Sequence, residues 1–305
     1  MNASRCTRRE FHAAAAGALA LATTGRAEPP AEPFRLKYIL ASPMYGTMPL
    51  AEILPEARKI GAAHIDIWPR VHANHREQVE EMGHDRFARL LDEHRVSLGM
   101  STRYDLGPHR LTDEIEFLAG FGGKVLVTGS RKLQDGPLKQ QVKAFVESMK
   151  PHVAKAERHG VAIGIENHGN ALIHSPDSLR YFAEFATSPH LGIALAPYHL
   201  PQDPELIAEL IVALGDSLVH FQGWEHGMGS HQKLPKEQEM LQMPGRGTLD
   251  FTPMLAALKK IDYGYFTEIF MHPVPRGIPI LDSREEITAA INQSRDYLEA
   301  CLTKT

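Results

Sequence analysis

Short apolar runs of about five or six residues recur along this chain, separated by longer stretches in which apolar positions return every three or four residues. The short runs have the length of buried strands, and the longer stretches have the period of helices that turn one face to a core. Eight runs read as strands: Leu36 to Ala41, Ala63 to Trp68, Val96 to Ser101, Lys124 to Thr128, Val161 to Glu166, Leu191 to Ala196, Ser217 to Gln222 and Gly264 to Phe270. Helices fill most of the intervals. Pro137 to His159, Pro204 to Leu214 and Ser283 to Leu302 each open on a proline or serine, residues suited to a helix start. Gly61, Gly123, Gly160, Gly192 and Gly264 mark turns into strands.

Strand and helix alternating in this way predict a parallel sheet with crossover helices. Eight units in about 270 residues match the size of a closed α/β barrel, so the expectation is a single (β/α)8 TIM barrel over residues 34–302. An open doubly wound sheet would carry a glycine-rich phosphate turn after its first strand. Ser42-Pro43-Met44-Tyr45-Gly46 stands there instead. The long interval Gly223 to Asp250 reads as an extended loop after strand seven, over the face where barrel active sites lie.

The first residues read as an address. Thr7-Arg8-Arg9-Glu10-Phe11 resembles the twin-arginine export motif, and the apolar run Ala13 to Ala22 follows it. Residues 1–27 are expected to be a signal peptide cleaved near Ala27, with 28–33 a proline-rich linker. The apolar run is short for a permanent anchor, so the mature protein is expected in the periplasm or outside the cell, without stable membrane insertion.

A formal charge of -4 leaves no general basic field for phosphate backbones, which argues against nucleic acid and for a small-molecule partner. Cys6 lies in the signal and Cys301 near the C-terminus, so the mature chain holds one thiol and no internal disulfide. Whether copies assemble into a homo-oligomer is left open by the sequence.

Polar residues close several of the apolar strands. Strand five ends in Glu166, Asn167 and His168; strand six runs on to His199; strand seven carries His220; strand eight carries Glu268. A carboxylate among apolar residues costs several kcal/mol unless something pairs with it, so Glu166 and Glu268 call either for a Lys or Arg partner or for a functional role. For His220 and His199 the bland alternative is a core histidine bonded to backbone. Around strand two, Trp68 and His72 offer an aromatic face and an imidazole suited to a sugar ring, and Trp224 with Glu225 could form a lid contact.

Ile65-Asp66-Ile67-Trp68-Pro69, Ile165-Glu166-Asn167, the segment Pro244 to Phe251 (PGRGTLDF) and Phe266 to Phe270 (FTEIF) resemble segments of the xylose-isomerase-like barrel superfamily, in its sugar isomerase and epimerase branch. The resemblance covers roughly residues 34–302. It implies a divalent cation (Mn, Co, Mg or Zn) held by Glu166, His220 and Glu268. The family's strand-six Asp falls on Ala196, with His199 or His168 as substitute ligands. It further implies that Glu166 and Glu268 transfer protons beside the carbonyl of a sugar, and that His199, with Arg246, orients substrate hydroxyls. An exported protein meets non-phosphorylated carbohydrates. Two other readings stay open: a lyase or hydratase on a keto-sugar or keto-glycoside, and a catalytically silent sugar-binding barrel.

Overall fold

In the computed structural model, which describes residues 33–305, each of the eight apolar runs forms a strand. They are β1 Lys37–Ala41, β2 His64–Ile67, β3 Ser97–Thr102, β4 Val125–Gly129, β5 Ala162–Glu166, β6 Leu191–Leu195, β7 Leu218–Gly223 and β8 Phe266–Ile269. All pairings are parallel, and β8 returns to β1 to close the barrel. This is a (β/α)8 TIM barrel. Strands β5, β6 and β7 are buried at every position, because helices cover the outer face and side chains fill the inside. That is why these strands read as continuous apolar runs rather than as alternations. The expected signal and linker fall almost entirely outside the described residues. Among the described residues no helix is long and apolar enough to cross a membrane.

The helices follow the periodicity with one revision. The single helix expected over Pro137 to His159 is two, Leu138–Ser148 and Lys150–His159. Pro151 is the reason: it lacks the N–H that would continue the ladder, and its ring crowds the preceding turn. The other two stand as expected, at Pro204–Leu214 and Arg284–Leu302. Asp203 caps the first by accepting the Glu205 and Leu206 N–H groups, at 3.1 and 3.2 Å. Ser283 and Glu286 cap the second reciprocally.

The barrel interior is layered. Ile39, Met100, Val125, Val127, Ala162, Ala194, Val219 and Phe266 form an apolar plug. Further along the strands, toward their C-terminal ends, the inward positions turn polar, with Asp66, Thr102, Glu166, His220, Gln222 and Glu268 all buried. The plug supports this layer and the layer carries the chemistry.

Two polar clamps fix the upper face. The Asn167 side chain behaves as one more rung of the sheet, donating to the Ala196 carbonyl at 3.0 Å and accepting the Ala196 N–H at 2.8 Å. It ties the end of β5 to the end of β6 just beyond Glu166. The buried Glu225 carboxylate accepts the N–H groups of Leu249 at 2.9 Å and Gly247 at 3.3 Å, folding the segment after β7 back onto the barrel. Gly247 must be glycine, since a Cβ there would lie 2.2 Å from Glu225 Oε2. Gly245 must be too: its φ is +79° and a Cβ would lie 2.5 Å from the Tyr297 ring. The glycines of PGRGTLDF are thus a packing device.

Asn167→Ala is expected to strand two buried backbone groups and destabilise the fold by roughly 2 kcal/mol or more, read by urea unfolding. Gly247→Ala is expected to displace Glu225 and cost about 1–3 kcal/mol, with Glu225→Ala partly relieving the clash in the double variant. Unchanged midpoints in either series would show that the clamp in question bears no stress.

Candidate active site

The end of β5 delivers Glu166 to the floor of a cavity of about 320 Å³ at the C-terminal face of the barrel. That is the face where barrel loops build active sites. Glu166 is 3% exposed, and no Lys or Arg among the described residues comes within ion-pair distance of it. Burial pushes its carboxyl up to about 8, with the nearby Glu268 charge acting in the same direction. The Tyr104 hydroxyl lies near enough to pull the other way, yet it makes no hydrogen bond of normal geometry and is buried without a partner.

Glu268 is the deeper of the two glutamates. It is fully buried, faces the His220 Nε2 at 3.3 Å and the Gln222 amide at 3.5 Å, and does not line the cavity. Burial pushes it up to about 8. The same burial pushes His220 down to about 4, so this pair is a neutral imidazole beside a carboxyl rather than an ion pair. Asp66 approaches the same spot from β2. Its Oδ2 accepts the Thr102 hydroxyl and the Trp68 indole N–H, each at 2.6 Å, while Oδ1 has no partner. Burial and repulsion from Glu268 hold Asp66 well above the usual carboxylate range.

Aromatic and imidazole rings make the walls. On one side Tyr198 stacks on Trp224 with centroids 3.9 Å apart and planes 11° apart. His199 meets the Trp224 ring edge-on, and His168 packs 4.1 Å from His199. Across the cavity His72 stacks on His272 at 4.9 Å. Burial lowers His72 to about 4 and His199 to about 3, and His272 falls well below its ordinary value. The His199 Nε2 is buried and unpartnered. One buried amide positions both walls: Gln242 Oε1 accepts the Trp224 indole at 3.1 Å and the His272 N–H at 3.2 Å, while its Nε2 donates to the His272 carbonyl at 2.9 Å.

Five of the residues singled out from sequence therefore meet at the cavity: Glu166, His168, His199, His72 and Trp224. Glu268 and His220 lie beneath it. Trp68 and Arg246 are not on its lining. Trp68 is 1% exposed, stacked on Phe270 at 5.1 Å, and supports His72 from behind. Arg246 reaches the Gln293 side chain on the C-terminal helix, because the Glu225 clamp turns its loop outward. Arg103, which follows β3, is likewise engaged elsewhere, held by Asp105 at 2.8 Å and by Glu114.

The cavity owes Tyr104, Tyr198, His272, Ser130, Ser230 and Arg276 to positions the sequence reading passed over. His272 and Arg276 were within reach, since they follow Glu268 in the loop after β8, and loops after barrel strands face the site. The cation set is not assembled as expected. Among the described residues no three His, Cys, Asp or Glu side chains come together in an arrangement that could hold a metal ion. Ala196, just past the end of β6, offers no side-chain ligand, and His199 turns into the upper cavity beside His168 rather than down to His220.

The family profile described as "Xylose isomerase-like TIM barrel" matches residues 54–301. No curated protein matches the sequence. Among solved structures, the chain is similar to an IolI protein with a bound zinc atom, at 16% identity and a TM-score of 0.66, over 88% of this chain and 99% of that one. It is also similar to a D-allulose 3-epimerase from Methylomonas sp., at 18% identity and a TM-score of 0.63, over 88% and 99%. An L-ribulose 3-epimerase gives 15% identity and a TM-score of 0.65, over 88% and 95%. These likenesses concern the fold. With the profile spanning most of its length, the chain belongs to the xylose isomerase-like TIM barrel family.

Proposed function

We propose that this protein is an enzyme of the sugar isomerase and epimerase type, moving a proton on the carbon beside a carbonyl of a carbohydrate. The observation that carries this reading is Glu166, a buried carboxylate that opens onto the cavity with no Lys or Arg to neutralise it. A salt bridge in the barrel mouth, the bland explanation for such a residue, has no partner among the described residues. Scaffolding does not require an unpaired carboxylate there, whereas a general base needs its acceptor oxygens free for substrate.

The remaining groups supply what such a step needs. The stacked Tyr198 and Trp224 rings offer an apolar wall to the hydrophobic face of a sugar. Glu166 takes the proton next to the carbonyl and returns it to a carbon of the resulting enediolate, so that the base is restored at the end of the step. The unpartnered Tyr104 hydroxyl and His199 Nε2 can donate to the oxygen on which enediolate charge develops, the contribution that prepositioned donors make in a dry site. The neighbouring D-allulose and L-ribulose 3-epimerases support the choice of carbohydrate chemistry. With export through the twin-arginine route as part of the proposal, the substrate carries no phosphate.

A divalent cation would supply Lewis-acid polarisation of the carbonyl, but the donor set does not fit one. His220 and Glu268 make a pair, and protein sites for Zn or its relatives use three or four ligands.

Replacing Glu166 by Gln is expected to lower solvent-deuterium incorporation beside the carbonyl by about 100-fold or more, followed by NMR in D2O with unphosphorylated ketoses. Glu268→Gln, a neutral isostere beneath the cavity, is expected to reduce exchange far less and to leave stability about equal, since burial already favours the neutral form of this side chain. Equal exchange in wild type and Glu166→Gln would end the proposal, and release of a leaving group from the adjacent carbon would move the enzyme to the lyases. Elemental analysis of the purified protein should find well below one Mn, Co, Mg or Zn per chain. A stoichiometric ion lost in His220→Ala would show that the donors rearrange to hold one.

A further inference from the structure

Arg276 is the cation with a permanent charge among the described residues lining the cavity. It arrives in the loop after β8, six residues beyond Phe270, and is partly buried. Two side-chain contacts hold it: Nη1 donates to the Pro273 carbonyl at 3.0 Å and Nη2 to the Ser230 hydroxyl at 3.2 Å. Ser230 is itself fixed, because its oxygen meets the Tyr198 hydroxyl at 3.0 Å and its N–H donates to that same hydroxyl at 2.8 Å. Tyr198 is the ring stacked on Trp224. The guanidinium is therefore built into the wall that the proposed carbohydrate would lie against.

What it lacks is a counter-charge. No Asp or Glu among the described residues lies within ion-pair distance of Arg276, whereas Arg76 and Arg103, also partly buried, are paired, with Glu114 at 3.1 Å and with Asp105 at 2.8 Å. Of the five N–H donors of a guanidinium, two meet protein acceptors, which leaves three for something else. Ser130 and Ser230 add hydroxyls to the same lining. A half-buried arginine whose planar fork is held still, unpaired, at the edge of a cavity sized for one small molecule is suited to bidentate recognition of a carboxylate.

We propose that the substrate is a sugar acid, a keto-sugar whose carboxylate is gripped by Arg276 while its carbonyl end lies at Glu166. This deepens the reading of the cavity as a carbohydrate site and rests on it. Arg276 is in this account a specificity-determining residue: it anchors the end of the substrate that does not react.

The test uses three ligands with one carbon skeleton, D-fructuronate, D-fructose and D-fructose 6-phosphate, which place a carboxylate, a hydroxyl or a phosphate at the same end. Titration calorimetry on the purified full chain should show fructuronate binding about 10-fold or more tightly than fructose, the scale expected of a charge-assisted fork. Arg276→Gln should bring fructuronate down to the affinity of fructose, and Arg276→Lys, which keeps the charge but not the fork, should restore only part of the difference. Melting curves of both variants separate a lost grip from a lost fold. Equal binding of fructuronate and fructose by the wild type, or discrimination that persists in a folded Arg276→Gln, overturns the proposal. Tighter binding of the phosphate than of the carboxylate overturns it as well. Deuterium exchange is read separately. Arg276-dependent fructuronate binding without exchange would leave the sugar-acid site standing and remove the isomerase reading. Exchange on fructose with no preference for the acid would do the reverse.

Discussion

Three carboxylic side chains, Asp66, Glu166 and Glu268, are carried into the upper end of the barrel above an apolar plug, and among the described residues no lysine or arginine pairs with them. Removing such groups from water favours their neutral forms, and placing them near one another favours those forms further. The protein answers by giving each a different environment. Asp66 is hydrogen-bonded by Thr102 and Trp68, Glu268 faces an imidazole, and Glu166 opens onto the cavity. Only the last can meet a substrate. The division follows from depth along the strands: a residue in the body of the strand is enclosed, and one at its last position emerges.

The scaffold around this cluster is arranged to keep it still. Asn167 ties the β5 end to β6, Gln242 fixes one ring on each side of the cavity, and Glu225 gathers the segment after β7 into backbone hydrogen bonds. These are neutral or fully bonded groups, which have no need of a charged partner. Acidic groups with open valence stay on the floor, and the guanidinium with open valence stays on the wall, so that ligand charge and ligand carbonyl have separate addresses.

The barrel was legible because parallel strands buried on both faces must be apolar at successive positions, and helices between them must repeat every three or four. The break at Pro151 is the kind of detail that periodicity alone passes over. Within the site, Glu166, His168, His199 and His72 could be found from their places just past apolar strands. What sequence does not carry is which side of a loop a side chain leaves from. Trp68 and Trp224 both follow strands, yet one buttresses the cavity from behind and the other forms its wall. Arg246 and Arg276 are both near the closing segments, but the Glu225 clamp turns the first outward, and the Tyr198 and Ser230 contacts hold the second inward. Likewise the resemblance to sugar epimerases points to a ligand set, while the single change to alanine at position 196 removes a donor that nothing else in the described chain replaces.

The placement of the indoles has one more consequence. The chain has two tryptophans, Trp68 and Trp224, and each packs against a ring that lines the cavity, His72 in one case and Tyr198 in the other. Tryptophan emission, excited selectively at the red edge of the absorption band, therefore originates from the immediate surroundings of the site. A ligand entering the cavity would change the surroundings of Trp224 directly and those of Trp68 through His72, which makes the unlabelled chain suited to a binding titration without a chromophoric substrate.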